Sequence, residues 1–299
     1  MSNPYTSTHI VQITDTTDRN AVLKIRSAYA KHAGAYGVRD AHVDVVPAHN
    51  TLDIGVAASE LIHNTERPDQ LFLGLNCAPA EKDEGDKNNA RSSFYYADLG
   101  EGIIAGGTLN GLELSYVKPR VRELFELATT NKLGSQFRSL QILPEHLVAF
   151  SNKDARDRLI KSGDLVAVPD IDALIPDVPN ITHVLETDNF QNVKLYLSSS
   201  DRELLEKAPE VLFAFGGETI EFARSNDSRS ARSYEAVVAP KLFDAGIGKN
   251  VLAKESSSRV FGGKTVPMIA TIRKRPAETP ASFTPPKVGQ PVFLRRTLG

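Results

Sequence analysis

Two polar segments that could contact a ligand each follow a predicted apolar strand. Residues 14–18 come directly after the strand predicted at residues 9–13 and contain the carboxylates of Asp15 and Asp18. Asn76 and Cys77 come directly after the strand predicted at residues 71–75. In open α/β sheets, ligands bind at the carboxyl ends of the strands. The spacing therefore predicts a ligand-binding site at this edge of a sheet.

The elements that must position these segments follow a repeated order of strand, loop, helix and strand. Residues 43–46 and 71–75 have the composition of buried strands. Between them, residues 54–62 place their apolar side chains on one helical face, and Thr51 or Asp53 is the expected cap. A similar helix is expected from about residue 18 to residue 32. This alternation predicts an α/β fold with a parallel sheet.

The rest of the first half carries weaker patterns. Residues 81–89 are charged and polar, which predicts a solvated, mobile loop. Residues 94–96 and 102–104 predict a hairpin or two short strands. Apolar spacing predicts helices over residues 118–128 and 144–150.

After a Pro-rich stretch, the second half has mainly the character of strands, which favours a small β-barrel. We therefore expect two domains joined by a linker. The predicted divisions are an N-terminal α/β domain at residues 8–165, a linker at 166–180, a C-terminal β domain at 181–275 and a Pro-rich tail at 276–299.

Composition narrows the classes of function. The 299 residues are 41% hydrophobic with a net charge of −2, so no nucleic-acid or anionic-membrane partner is expected. The single cysteine excludes an internal disulfide, and the seven histidines have no ligand spacing, so no metal is expected. The first nine residues are polar and no apolar run has membrane length, which predicts a cytoplasmic protein.

Six segments, in order along the chain, resemble the family of S-adenosylmethionine hydrolases (hydroxide adenosyltransferases) and the related fluorinases and chlorinases. Each segment is weak by itself, and the shared order over residues 8–273 carries the resemblance. The segments are residues 14–18 (TDTTD), 44–75, 107–112 (GTLNGL), 137–147, 187–192 (TDNFQN) and 256–270.

The resemblance implies a fold, an assembly and a reaction. The fold would be an α/β domain with about seven strands followed by a small β-barrel. The assembly would be a homotrimer, or a dimer of trimers, with sites at subunit interfaces. Water would attack the ribose C5′ of S-adenosylmethionine and release adenosine and L-methionine. Because a sulfonium is already a good leaving group, no metal or cofactor is implied, and the protein would align the nucleophile and strip its water.

The resemblance also implies substrate-binding roles. Asp15 would accept hydrogen bonds from both ribose hydroxyls, since a carboxylate has two acceptor oxygens. Asp18 is a further candidate for substrate contact, and a helix cap is the alternative role for Asp15 and for Asp18. Asp188 would meet the methionine ammonium, with an Asx turn as the alternative. Phe190 would form a wall of the adenine pocket, with core packing as the alternative, and Asn192 would contact the adenine edge, with a turn residue as the alternative. Ser257, Ser258 and Arg259 would bind the methionine carboxylate. Further substrate contacts are implied for Leu52, Cys77, Asn110, Phe137 and Ala270.

The catalytic positions depart from the family pattern of an aspartate, an arginine and a histidine. Asn76 or Cys77 stands in place of the acid, and Arg138 stands in place of the histidine. Arg91 is the candidate arginine, and Ser139 matches a serine that contacts halide in the fluorinases. Two functions therefore stay open: an enzyme that cleaves S-adenosylmethionine with an altered water-activating set, and a non-catalytic protein that binds the nucleoside.

Overall fold

The structure is a computed structural model, and the chain divides into two compact units, Met1–Val178 and Pro179–Gly299. None of the helices described below is long and apolar enough to cross a membrane. The structure describes residues 8–16, 18–38, 41–64, 70–76, 93–109, 111–128, 138–187, 192–215, 234–239, 250–253, 260–261, 264–265, 268–271, 286 and 289–296.

The first unit is built on a seven-stranded sheet. Its strands are β1 (Thr8–Thr14), β2 (Ala41–Pro47), β3 (Gln70–Asn76), β4 (Phe94–Gly100), β5 (Ile103–Gly107), β6 (Glu123–Leu127) and β7 (Leu165–Ala167). Their order across the sheet is β2-β1-β3-β5-β4-β6-β7. The neighbours β2, β1, β3 and β5 pair in parallel, whereas β4, β6 and β7 join the sheet through antiparallel pairs. The predicted α/β fold with about seven strands is confirmed, and the sheet, which was predicted to be parallel, is mostly parallel with antiparallel pairs at one side.

Helices cover both faces of this sheet. They are α1 (Arg19–Ala35), α2 (Thr51–Asn64), α3 (Arg138–Ser151), α4 (Lys153–Lys161), α5 (Ile171–Leu174) and a 3-10 helix (Ser115–Arg120). Side chains at alternate positions along β1 and β3 enter separate cores, because successive residues of a strand point to opposite faces. One core joins α2 to Val11, Ile13, Leu71, Leu73 and Leu75, and the other joins α1 and α3 to Ile10 and Phe72.

Several predicted elements of the first unit are confirmed. The strands expected at residues 9–13 and 71–75 are β1 and β3, and the expected hairpin is β4 and β5. The hairpin turns at Glu101 and Gly102, whose φ values are 54° and 76°. The helix expected at residues 144–150 is the second half of α3, in which Leu147 and Val148 are fully buried.

The helix predicted over residues 118–128 is wrong. This stretch holds the end of the 3-10 helix and then β6, which pairs with β4 and β7. Leu124 packs in the core on the α2 side, whereas Phe125 and Leu127 pack in the core on the α1 side. A strand that is covered on both faces has consecutive apolar residues, and such a run also satisfies a helical spacing.

The stretch predicted as a linker at residues 166–180 contributes to the first unit. Val166 and Ala167 complete β7, and α5 follows. Ile175 is buried in the core beside α2. Most of the predicted linker therefore packs against the core of the first unit, and only its last two residues belong to the second unit.

The second unit holds another seven-stranded sheet. Its strands are β8 (His183–Thr187), β9 (Val193–Tyr196), β10 (Glu210–Phe215), β11 (Tyr234–Ala239), β12 (Asn250–Ala253), β15 (Met268–Thr271) and β16 (Val292–Arg296), and a separate pair is formed by β13 (Val260–Phe261) and β14 (Lys264–Thr265). The order across the seven-stranded sheet is β16-β10-β11-β12-β15-β9-β8. The helix α6 (Ser199–Lys207), which was not predicted from the sequence, connects β9 to β10.

The end of the predicted Pro-rich tail is a strand of this sheet. β16 pairs with β10 in antiparallel register over five residue pairs, from Val211 with Arg296 to Phe215 with Val292. The segment just before β16 also bonds to β8: the Val184 N–H donates to the Gln290 carbonyl at 3.0 Å, and the Gly289 N–H donates to the Val184 carbonyl at 2.8 Å. These bonds join β8, at one end of the sheet order, to the segment that precedes β16, the strand at the other end.

A buried polar pair in the first unit gives a stability prediction. The Tyr29 hydroxyl of α1 donates to Gln12 Oε1 of β1 at 2.7 Å, and both residues are buried. Tyr29→Phe leaves that oxygen without this donor, so we expect a loss of about 1–2 kcal/mol in unfolding free energy. Urea denaturation measures it. The control Tyr36→Phe removes a hydroxyl that is less buried, and an equal loss in both variants would contradict the assignment.

Candidate functional site

The order of β2, β1 and β3 defines a topological switch point at one edge of the first sheet, here called the crevice. β1 lies between β2 and β3, and it pairs with both in parallel. The strand that follows β1 along the chain is β2, on one side, whereas β4, which follows β3, lies on the other side beyond β5, and α1 and α2 pack in the cores of opposite faces. Ligands of open α/β folds bind where neighbouring strands send their connections in opposite directions. That point is between the carboxyl ends of β1 and β3.

The structure brings Asp15 and Asn76 together at this crevice. Thr14 and Asn76, the last residues of β1 and β3, are register partners. The Asp15 N–H donates to the Asn76 carbonyl at 3.3 Å, and Asn76 Nδ2 donates to Thr14 Oγ1 at 3.1 Å. The two polar segments identified in the sequence therefore form one surface.

The buried hydroxyl of Thr14 orders this surface. Besides its bond from Asn76, it accepts from the Thr16 N–H at 3.2 Å and donates to Asp15 Oδ1 at 3.5 Å. The Thr16 hydroxyl donates to the same carboxylate oxygen at 3.4 Å. Both contacts to Asp15 are long, so they orient the carboxylate weakly. Asp15 itself is exposed, so hydroxyl donors of a ligand can reach its carboxylate.

Asp18 serves as the N-cap of α1. One of its carboxylate oxygens accepts from the Asn20 and Ala21 N–H groups, both at 3.0 Å. These bonds satisfy donors that have no partner within the helix. The geometry matches the cap that the sequence analysis gave as the alternative to substrate contact.

Replacing Asp18 should therefore affect stability before it affects binding. We expect Asp18→Ala to lower the unfolding free energy by about 1 kcal/mol, because an N-cap oxygen is lost. Asp18→Ser keeps a capping oxygen and is the matched control, with most of the stability retained. Chemical denaturation of both variants measures the difference. Full stability in Asp18→Ala would show that the cap contributes nothing.

The loop after β2 and the start of α2 reach the same edge. The Asp53 N–H donates to Asn50 Oδ1 at 2.7 Å, and the His49 N–H donates to Asp53 Oδ2 at 2.9 Å. Asn50 is thus the side chain that caps α2, and the expected cap at Thr51 or Asp53 is corrected. Burial raises the pKa of the Asp53 carboxyl, and the bond from His49 opposes that rise. Leu52 is fully buried, so its side chain packs inside the unit and away from the open surface.

The loop after β5 closes against the start of α2. The Leu112 N–H donates to Thr51 Oγ1 at 3.0 Å. A Cβ on Gly111 would lie 2.4 Å from that oxygen, so only glycine allows the close approach. Glu113 is almost fully buried and accepts from the Gly111 N–H at 2.8 Å. Sequence reasoning missed this carboxylate, although a charged residue between Leu112 and Leu114 is a signal for it.

Some of the remaining predicted site residues lie within the described part of the chain. Arg138 and Ser139 begin α3, and Ala270 lies in β15. Asn192 directly precedes β9 in the second unit and is half-buried. Cys77, Arg91, Asn110, Phe137, Asp188, Phe190, Ser257, Ser258 and Arg259 lie outside the described residues, as does the predicted loop at residues 81–89.

Comparison with known proteins identifies the fold and no function. No protein-family model matches the chain, and no curated protein matches it. Among solved structures, it is similar to an uncharacterized conserved protein from Thermotoga maritima, with a TM-score of 0.57 and 15% identity over 96% of this chain and all of the other. It is also similar to a conserved hypothetical protein from Thermus thermophilus, with a TM-score of 0.53 and 17% identity over 96% of this chain and all of the other. At these identities the likeness concerns the fold alone.

Proposed function

We propose that the protein cleaves S-adenosylmethionine with water, and that the substrate binds at the crevice between β1 and β3. The observation that carries this proposal is the meeting of Asp15 and Asn76 at the carboxyl ends of these strands. It supports the role that the sequence resemblance implies for Asp15, because an exposed carboxylate there can accept the two neighbouring hydroxyls of a ribose.

The proposed reaction transfers the adenosyl group to water. The water oxygen forms a bond to C5′ as the bond from C5′ to sulfur breaks, and the electron pair of that bond leaves with methionine. The attacking water loses one proton to solvent, so the products are adenosine, methionine and H⁺. The protein need only hold water and sulfonium in line, because intramolecular alignment lowers the barrier by several kcal/mol.

Asn76 is the described residue best placed to hold the water. Its Nδ2 donates to Thr14 Oγ1 at 3.1 Å, and this bond fixes the orientation of the amide. Its Oδ1 is then the atom that would accept from an attacking water. An amide cannot take up the proton, so the water would be positioned rather than deprotonated. Arg91, Arg138 and Ser139 remain predictions from the resemblance as further catalytic residues.

The proposal also covers the shape of the second sheet, the oligomeric state and the cellular location. We expect the second sheet to close into a small barrel, which is supported by the hydrogen bonds from Val184 to the segment before β16. We expect a homotrimer, or a dimer of trimers, because the resemblance divides the substrate contacts between the first unit of one subunit and the second unit of its neighbour. A cytoplasmic location also remains a prediction.

A non-catalytic nucleoside-binding protein is the second candidate. It is favoured by the departure from the family pattern, since Asn76 or Cys77 stands where the resemblance leads us to expect an acid, and the Asn76 amide cannot serve as a general base. The same crevice would then bind S-adenosylmethionine or adenosine without turnover.

One experiment separates the two candidates. Purified protein is incubated with S-adenosylmethionine, and adenosine and methionine are quantified by chromatography, with Asp15→Ala as the control. Equal amounts of both products, absent from the control, support the enzyme. Calorimetric binding without products supports the non-catalytic protein. No product and no binding heat at millimolar ligand would overturn both.

Mixing two variants tests the proposed trimer. Asp15→Ala and Asn192→Ala should each weaken binding, the second by roughly 1–2 kcal/mol because the amide is neutral. After subunit exchange, mixed trimers should regain some sites, because an intact Asp15 of one chain then faces an intact Asn192 of the next. Calorimetry on the exchanged mixture counts the recovered sites. No recovery, or a mass near 32.6 kDa by light scattering, would contradict a shared site.

A further inference from the structure

A second group of chemically active side chains lies away from the crevice, near the amino ends of β1 and β2. His9 of β1 is the register partner of His42 of β2, and Asp44 lies two residues further along β2. His9 Nε2 is 2.8 Å from Asp44 Oδ2, and His42 Nδ1 is 3.2 Å from the same oxygen. The three potential ligand atoms all lie within 4.8 Å of one another.

The sheet fixes the positions from which these side chains project. Residues 42 and 44 of a strand point to the same face, and His9 points with its register partner. Val43 and Val45, which alternate with them, pack against the core on the α1 side. The arrangement is therefore built on two paired strands, which hold a binding site more rigidly than loops do.

We propose that His9, His42 and Asp44 bind a divalent first-row transition metal ion, with Zn²⁺ as the reference ion. Bonds of roughly 2.0–2.2 Å from zinc to nitrogen and oxygen ligands, at tetrahedral angles, place neighbouring ligand atoms roughly 3.3–3.6 Å apart. The two distances to Asp44 Oδ2, 2.8 and 3.2 Å, are shorter, so binding an ion requires these side chains to separate by a fraction of an ångström. Imidazole favours zinc, copper, iron and nickel over magnesium and calcium.

The site is open to solvent on one side. The His42 side chain is 71% exposed and the Asp44 side chain is 40% exposed, whereas His9 is 26% exposed. Three protein ligands and an accessible fourth position are the arrangement of an exchangeable or catalytic ion, since structural zinc sites are closed by four ligands. This site is independent of the proposed cleavage of S-adenosylmethionine, which requires no metal.

The alternative is a hydrogen-bonded cluster in which Asp44 accepts from both imidazoles and no ion binds. The two cases differ in a direct way. A metal uses the lone pair of the ring nitrogen that faces the carboxylate, so the ring proton must lie on the other nitrogen, and acid competes with the metal for that lone pair and weakens binding at low pH. A cluster without metal affinity binds no ion at any pH.

The test uses the full chain without a purification tag, after treatment with a chelator and dialysis. Titration with ZnCl₂ is followed by calorimetry, and titration with CoCl₂ is followed by visible absorption, which reports coordination of the ion by nitrogen ligands. We expect one ion per chain. His42→Ala and Asp44→Asn should each lower the affinity at least tenfold, since even outer partners of metal ligands cost 10–100-fold.

His49→Ala is the matched control, because His49 is exposed in the loop after β2. It should keep the affinity of the parent protein. Circular dichroism shows whether each variant is folded, and His42 is exposed enough that its loss should not disturb the sheet. Absence of binding in the parent protein would overturn the proposal, and so would unchanged affinity in both His42→Ala and Asp44→Asn.

Discussion

Lowering the pH from 6.5 to 4 should reduce the unfolding free energy of the second unit by about 3 kcal/mol through His183 alone. This residue of β8 is completely buried, and its Nδ1 donates to the Ile181 carbonyl at 2.6 Å. Its ring stacks on Tyr196 with 4.8 Å between centroids. Burial lowers the pKa of His183 from 6.5 to about 4, because a charged imidazolium would be removed from water.

The direction follows from proton binding. In the unfolded chain His183 takes up a proton as the pH falls through 6.5, whereas in the folded protein it does so only near pH 4. Between these values the unfolded state binds more protons, so acid favours unfolding. The stability that His183 contributes to the folded protein is fully present above pH 6.5 and decreases as the pH falls from 6.5 to about 4. Below about pH 4 it decreases no further, because His183 is then protonated in both states.

The effect is isolated by comparing variants. Unfolding of the parent protein, His183→Gln and His49→Gln is measured with urea at several pH values between 7 and 4. His183→Gln should be less stable at pH 7 and should lack the contribution of about 3 kcal/mol, because glutamine does not titrate. His49→Gln, which changes an exposed histidine, should follow the parent protein. Parallel curves for all three proteins would show that His183 does not remain neutral in the folded state.

Asp15→Ala should weaken binding of S-adenosylmethionine by about 2–4 kcal/mol, or roughly 30- to 700-fold. The reason is that two hydrogen bonds from the ribose to a charged acceptor are lost, each worth about 1.5–3 kcal/mol and not fully additive. Stability should change little, because Asp15 is exposed and its contacts with Thr14 and Thr16 are long. Calorimetry and thermal denaturation measure the two quantities.

Asp154→Ala is the matched control for Asp15→Ala, since it removes an exposed carboxylate from the first turn of α4. It should leave the dissociation constant unchanged. A loss of affinity in both variants would indicate a long-range effect of net charge, and unchanged affinity in Asp15→Ala would place the ribose elsewhere. Asp15→Asn keeps one acceptor oxygen and should lie between the parent protein and Asp15→Ala.

The sequence alone predicts most of the elements around the crevice. The alternation of strands and helices through β3 is a local pattern, since β-branched runs, a helical apolar face and turn residues each act over a few positions. It also places Asp15 and Asn76 at strand ends. Parallel pairing then puts those ends at one edge, so their proximity follows from the fold class itself.

The tertiary structure decides the rest, because the deciding contacts join residues that are distant in the chain. Residues 123–127 form a strand only through pairing with β4 and β7, and residues 292–296 form a strand only through pairing with β10. Asn50 rather than Thr51 caps α2, and the Thr51 hydroxyl instead accepts from Leu112 in the loop after β5. His9 approaches His42 and Asp44 only when β1 pairs with β2, since spacing along the chain does not encode which strands become neighbours.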